Sequence, residues 1–262
     1  MDEEYDDGDI FPPWDQLIPE VLVLIFNKLS LLEKLIEIPL VCKSWNRVVT
    51  APDCWQDIDF EDTFFYFKNL YGVFEDFDLM NTILQTTVRR SLGQLRSLNA
   101  RYIVDDNTFS IIAEHAQCLG TLKLPSLWIE SSTIEDAAEM LSTVTHLDIS
   151  YNGYFELKVE AIKAIGYHCK SLEWFNMNMS VDSCLEDSLL DEQAFAIAST
   201  MPKLKHLEID FMIIGPEGLL KILSCCTQLE HLNIRGCFLL NDCGQYFEKF
   251  SDLKVVGPQL DT

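Results

Sequence analysis

Apolar positions recur along most of the chain in one figure, spaced three and then two residues apart. Its copies are Leu95/Leu98/Ala100, Leu119/Leu122/Leu124, Val144/Leu147/Ile149, Leu172/Phe175/Met177, Leu204/Leu207/Ile209 and Leu229/Leu232/Ile234. The last two members of each copy are separated by a single, mostly polar residue, the mark of a short strand with one buried face. Successive copies begin 24, 25, 28, 32 and 25 residues apart. Between them lie stretches with helical spacing, over 106–116, 133–141, 159–168, 192–199 and 217–223. A strand-plus-helix unit of this length cannot bury its own apolar face, but a stack of such units can. The pattern therefore predicts an α/β solenoid over residues 94–262, with 253–256 as a truncated closing strand. Asn152 and Cys237 sit three residues after two of the figures, where a short side chain bonds turn backbone.

Residues 13–60 read differently, as short helices without strands. Pro19 suits the first turn of a helix, where its missing N–H is not needed, and Glu20 complements the helix dipole there. The helix is predicted to run to about Leu29. Val21, Leu22, Val23, Leu24, Ile25 and Phe26 are all apolar and cover nearly its whole circumference, whereas a surface helix keeps roughly a 100° stripe. So small a segment cannot cover such a helix alone; the rest of the chain or another protein must. A second helix fits Leu32–Ile38. Pro39 can open a third, with Val41, Cys42, Trp45, Val48 and Val49 on one face. Trp14, Trp45 and Trp55 place three of the five tryptophans in this segment, as core or as interface anchors. Residues 61–93 carry an aromatic cluster (Phe64, Phe65, Tyr66, Phe67, next to Phe60) and two helical stretches, 79–84 and 88–92. They read as a joint that caps the stack.

The order Leu17-Ile18-Pro19-Glu20, Ile25-Phe26, Leu29, Val41-Cys42-Lys43-Ser44-Trp45 and Pro52-Asp53-x-Trp55-x-x-Ile58 resembles the F-box. With about six leucine-rich repeats behind it, the chain resembles the plant F-box/leucine-rich-repeat proteins over nearly its whole length. That resemblance implies a small all-α F-box docking on the Skp-type adaptor of a cullin–RING ubiquitin ligase. On the family pattern Leu17, Pro19, Leu22, Ile25, Leu29, Cys42 and Trp45 are in or near that contact, which would cover the all-apolar helix. Trp55 instead packs the module onto the segment C-terminal to it.

Charge narrows the partners. There are 42 acidic and 19 basic residues, a net −23, on a chain that is 48% hydrophobic. A field this negative argues against nucleic-acid backbones and anionic membrane surfaces, and favours a basic protein partner or simple solubility. The excess is shared almost evenly between residues 1–94 and 95–262. Residues 1–12 read as an acidic, disordered leader without the pattern of a secretory signal. The aliphatic run 21–26 is far too short to span a bilayer. The nine cysteines are odd in number and form no C-x-x-C pair. That fits reduced thiols in cytoplasm or nucleus better than disulfides or zinc.

Side chains between the strand leucines face the concave side of such a stack. From these, His146, Asp148, Trp174, Asn176, His206, Glu208, His231 and Asn233 are the candidate substrate-binding residues, with Trp174 as anchor. His206, Glu208 and His231 could sketch a metal site, but a repeat reusing one residue type at one slot is the simpler account, and no metal or cofactor is expected. No nucleophile–base motif or Gly-rich phosphate loop is present. The longest step holds Asp182, Glu186, Asp187, Asp191 and Glu192 without a base, a solvated loop or a negative lip selecting basic segments. The sequence thus points to a non-catalytic, substrate-recruiting ligase subunit. Two other readings stay open: a ligase-independent acidic repeat module clamping a basic protein, and an enzyme using the histidine strip.

Overall fold

The N-terminal helical module begins with a 3₁₀ turn, Trp14–Gln16, followed by α1, Pro19–Phe26. Ile18 is extended and Pro19 opens the helix, as its fixed φ favours. The helix stops short of Leu29: the N–H groups of Lys28 and Leu29 reach only three residues back, to Ile25 and Phe26, so the last turn tightens. A computed structural model supplies these coordinates and describes residues 14–61, 63, 77–103, 105–151, 157–180, 190–237, 240, 243–247, 250 and 252–258. The acidic leader, the Phe64–Phe67 cluster, Asn152 and residues 181–189 of the acidic segment lie outside the described residues.

Pro39 does not open the third helix. It lies in the first turn of α2, Ile38–Val41, which comes directly after a π-helical turn, Glu33–Glu37. Ile38 N–H bonds Glu33 five residues back. Proline deprives the carbonyl four residues before it of a donor and crowds it, and the widened turn accommodates both effects. The third helix, α3, is Lys43–Val49. Cys42 is its N-cap, with Sγ accepting from Trp45 N–H at 3.5 Å.

The module also contains a strand, contrary to the all-helical expectation. Asp57–Asp59 forms β1, the first of eight parallel strands among the described residues. The others are β2 Ser97–Asn99, β3 Thr121–Lys123, β4 His146–Asp148, β5 Trp174–Asn176, β6 His206–Glu208, β7 His231–Asn233 and β8 Lys254–Val256. They lie in chain order, in one register that aligns Ile58, Leu98, Leu122, Leu147, Phe175, Leu207, Leu232 and Val255. The first seven of these are buried, so each strand sends its central side chain inward and its two flanking ones outward.

Parallel neighbours need a crossover, and helices supply it. They are α4 Phe77–Arg90, α5 Asp106–Glu114, α6 Ser131–Ala137 with a 3₁₀ extension Ala138–Leu141, α7 Val159–His168, α8 Asp191–Thr200, α9 Pro216–Cys225 and the short α10 Gly244–Phe247. Each leaves an apolar face on the sheet: Ile162 and Ile165 of α7, Ala194 and Ile197 of α8, Leu219 and Ile222 of α9 are fully or almost fully buried. The two stretches at 79–84 and 88–92 turn out to be the single helix α4 and the turn after it. The β-branched residues that break the pattern are satisfied locally, with the hydroxyls of Thr82, Thr86 and Thr87 donating to the carbonyls of Asp78, Thr82 and Leu84.

After five strands the chain turns through the left-handed region at the same offset: Tyr102, Ser126, Tyr151, Phe211 and Gly236 have φ of 59°, 61°, 61°, 60° and 72°. Only Gly236 takes this conformation without steric penalty. The turn is held from repeat to repeat by bonds such as Tyr151 N–H to Asn178 and Phe211 N–H to Arg235. One continuous core runs from Leu22 and Phe26 in the module to Cys243 near the C-terminus. At the junction Trp55 is fully buried. Its Nε1 donates to the Val49 carbonyl at 2.7 Å, while Lys34 Nζ and the Arg90 guanidinium lie 5.2 and 4.9 Å from its ring centre.

Candidate interaction surfaces

The helical module leaves apolar side chains uncovered. Trp14, Ile18, Val21, Leu24 (68% exposed), Ile36, Val41 and Leu40 (81%) all face outward. Leu22 and Phe26 point inward, and Trp45 packs edge-on against Phe26 with ring centres 5.3 Å apart. Trp45 Nε1 donates to the Trp14 carbonyl at 3.0 Å, pinning the 3₁₀ turn to α3. Of the residues predicted for this surface, Pro19 is exposed at the mouth of α1, and Leu17, Ile25, Leu29, Cys42 and Trp45 are half-buried. Leu22 is a correction: it has no exposed surface, because the helix turns it into the chain's own core, so it supports the face from below. Val41 does not share the inward face of Val48 and Val49; the break at Cys42 turns it out. Leu24, Ile36 and Leu40 were missed, although the six-residue apolar run and the Leu40-Val41 pair carried the signal. A groove of about 660 Å³ between α1 and α3 runs beside this face, lined by Pro19, Val23, Leu24, Arg47 and Ala51.

The second surface is the outer face of the sheet. Register brings Thr121, His146, Trp174, His206, His231 and Lys254 into one row across β3–β8. Four of these side chains stack as a ladder. Ring centres are 5.6 Å apart for His146–Trp174, 3.7 Å for Trp174–His206 and 4.2 Å for His206–His231. Trp174 is 40% exposed, so the anchor role is open to it, but its faces are turned toward neighbouring imidazoles.

A second row holds Lys123, Asp148, Asn176, Glu208 and Asn233. Asn176 Oδ1 accepts from Trp174 Nε1 at 3.0 Å. Glu208 accepts from His206 Nε2 at 2.7 Å and from Asn178 Nδ2 at 3.1 Å. Asp148 caps the turn after β4 by accepting from Ser150 N–H at 2.9 Å. Asn233 is the second correction. It is 4% exposed, because its amide is used internally, donating to Asp210 Oδ2 and accepting from Arg235 Nε. Its side chain is committed to the chain's own Asp210 and Arg235.

Asp210 lies two residues beyond Glu208. It is buried, and its Oδ2 also accepts from Arg235 at 3.1 Å. Burial lifts its carboxyl above the usual range, and Arg235 holds it down in part. Tyr151 lies outside the leucine figure and was missed. Its phenol is pushed up first by burial, then by the charges of Asp210, Asp148 and Glu208. His231 is held below the ordinary histidine value by burial, then by His206 and Lys254. His206 and His231 lie face to face, so their nitrogens do not converge, and no group of three metal-ligating side chains occurs among the described residues. No helix among them is long and apolar enough to cross a membrane. Cys237, at the turn position the repeat predicts, donates Sγ–H to the Ile209 carbonyl at 3.2 Å.

A helical module with exposed apolar side chains shares one sheet, through β1, with a leucine-rich-repeat solenoid that carries a polar outer strip. The F-box-like family profile matches residues 14–61. The chain is 45% identical over 251 residues to the Arabidopsis thaliana F-box protein FBW2, covering 95% of this chain and 76% of that one. It is 30% identical over 249 residues to the F-box protein SKIP19 of the same plant, covering 93% and 76%. An Arabidopsis chain carrying the name F-box/LRR-repeat protein 9 is 30% identical over 232 residues, covering 88% and 90%. The chain belongs to the F-box/leucine-rich-repeat proteins of plants. F-box proteins act generally as non-catalytic substrate-recognition subunits of Skp–cullin–F-box ubiquitin ligases, and the F-box carries the Skp-type adaptor contact.

Proposed function

We propose that this chain recruits a protein substrate to a Skp–cullin–F-box ubiquitin ligase, in the cytoplasm or nucleus. The helical face docks on the Skp-type adaptor, and the outer strip of the sheet holds the substrate. The chain contributes no reacting group. It raises the rate of ubiquitin transfer by holding a substrate lysine near a conjugating enzyme that other subunits bring, which replaces a bimolecular encounter with an effectively intramolecular one. The observation that carries this reading is the uncovered apolar face: Leu24, Leu40 and Val41 stand exposed on a module whose core is already filled by Leu22, Phe26 and Val49. Several large apolar side chains left exposed on so small a module mark an interaction site. A free-standing repeat module that clamps a basic protein would have no use for it.

The test is co-expression of the full chain with a Skp-type adaptor, then size-exclusion chromatography. A stable complex is expected, and its absence would end the reading. Pro19→Ala combined with Trp45→Ala should weaken the complex, since one sets the start of α1 and the other holds α3 against it.

A further inference from the structure

We infer that Lys34 is a positioning residue for adaptor docking: its bond to the Cys54 carbonyl selects the helical register in which Ile36, Leu40 and Val41 face outward. This inference rests on the reading that this face docks on the Skp-type adaptor, and it names the group inside the chain that aims it.

Lys34 is 5% exposed, the only lysine buried among the described residues. A lysine is almost never buried this far without a paired carboxylate. Here no ion pair among the described residues includes it. Its Nζ donates to the Cys54 carbonyl at 3.2 Å and lies 5.2 Å from the Trp55 ring centre. Burial pushes the ammonium below the ordinary lysine value, which Cys54 and Asp57 offset in part. A methionine would fill the same space without desolvating a charge, so the ammonium is a poor choice for stability alone. What it adds is direction, because a hydrogen bond to one particular carbonyl fixes where the lysine's own helix stands.

The helix has two registers to choose from. Ile38 N–H reaches five residues back to Glu33, the π-helical pattern. In the α pattern it would reach Lys34, and one residue of slip turns the segments on either side by about 100° relative to each other. Pro39 forbids a regular helix here but does not dictate how the turn opens. The segment before the turn is held by the Glu33 carboxylate, which accepts from the N–H and the hydroxyl of Ser30 at 2.7 and 2.8 Å. The segment after it is held by Ile38, which is buried. Only the π pattern lets Lys34 reach Cys54 while Ile38 stays in the core, and that pattern turns Leu40 and Val41 outward. Cys54 and Trp55 come just before β1, and Trp55 also meets Arg90 of α4. The bearing of the docking face is thereby referenced to the first rung of the sheet.

The test compares the full chain with Lys34→Met and Lys34→Arg, each titrated with a Skp-type adaptor. Lys34→Met keeps the volume of the stem and removes the charge. The expected result is split: a melting temperature equal to or above that of the parent chain, and adaptor affinity at least about tenfold weaker, because Ile36, Leu40 and Val41 must then be ordered at the moment of docking. Lys34→Arg keeps a charge and its donors and should recover part of that affinity. Amide hydrogen exchange over 36–41 should quicken in Lys34→Met, with exchange in α1 unchanged. Affinity equal to the parent's in Lys34→Met overturns the inference and leaves adaptor docking standing. Loss of fold in both variants overturns it as well, since Lys34 would then serve the core. A parent chain that binds no adaptor ends the docking reading and this inference with it.

Discussion

The imidazoles of His206 and His231 lie with ring centres 4.2 Å apart and planes inclined by only 6°. The groups facing them are Trp174 from β5, Glu208 from β6 and Lys254 from β8. His231 Nδ1 is buried without a hydrogen-bond partner among the described residues. Burial opposes a proton on His231 most, His206 and Lys254 oppose it further, and Glu208 favours it in part.

That shift has a sign, and the sign sets the pH dependence. His231 titrates below the ordinary 6.5 in the folded chain, so between the two values the unfolded chain holds a proton that the folded chain lacks. Its contribution is fully present above the ordinary histidine value and is lost as pH falls below it. Melting temperature should therefore drop as pH is lowered from about 7.5 to about 5, and His231→Phe, which keeps a ring in the ladder but cannot charge, should reduce the drop. An unchanged slope in thermal scans of that variant would assign the loss to other groups.

Exposed and buried leucines of the helical module should separate cleanly. Leu40→Glu with Val41→Glu changes side chains that touch little of the chain itself, so stability should stay within about 0.5 kcal/mol while adaptor binding is lost. Leu22→Ala should instead cost about 2–5 kcal/mol by leaving a cavity in the core. Denaturant titration and adaptor co-purification, run on both variants, check the pair.

Trp55 should be the most sensitive position at the junction. Trp55→Ala empties a fully buried site and is expected to cost about 3–5 kcal/mol. Trp55→Phe keeps most of the volume but leaves the Val49 carbonyl without its donor, a smaller loss of about 1–3 kcal/mol. Chemical denaturation monitored at a solenoid tryptophan such as Trp128 would show whether the module and the stack unfold together.

Gly166 in α7 lies close against the end of the next helix. A Cβ there would meet the Thr200 hydroxyl and side-chain carbon at the end of α8, and Met201 beyond it. Gly166→Ala should destabilise the stack by about 1–3 kcal/mol through overpacking, despite alanine's better helix propensity. Gly244→Ala has open space around the added carbon and serves as the control in the same denaturation experiment.

Six of the eight strands were legible because their central residues are Leu or Phe within the same three-and-two figure, and the closing strand because its apolar run comes after the last helix. The first was not, although Trp55, Ile58 and Phe60 keep the same three-and-two spacing and Ile58 pairs with Leu98. Aromatic residues replace the leucines at both ends of that copy, and the same residues belong to the F-box motif, which hides the repeat. The second and third helices were misdivided because proline was given its usual role as an opener, whereas a π-helical turn absorbed it. For the outer strip, alternation placed the correct side chains on the correct face. It could not show that Asn233 is consumed by Asp210 and Arg235, or that Tyr151 sits in a left-handed turn bonded to Asn178, because both depend on contacts across repeats.

Strand β1 is covalently part of the helical module yet hydrogen-bonded as the first rung of the sheet, with Arg96 N–H bonding Gln56 and Phe60 N–H bonding Asn99. Under the ligase reading, the bearing and range of Trp174 from Leu40 are then set through the strand ladder that runs from β1 to β5. Two substrates held with equal strength would still be modified unequally, according to where their lysines fall in that fixed frame. Inserting or deleting one repeat between β1 and β5 would swing the frame by one strand's twist and exchange the favoured lysine without touching a single contact residue.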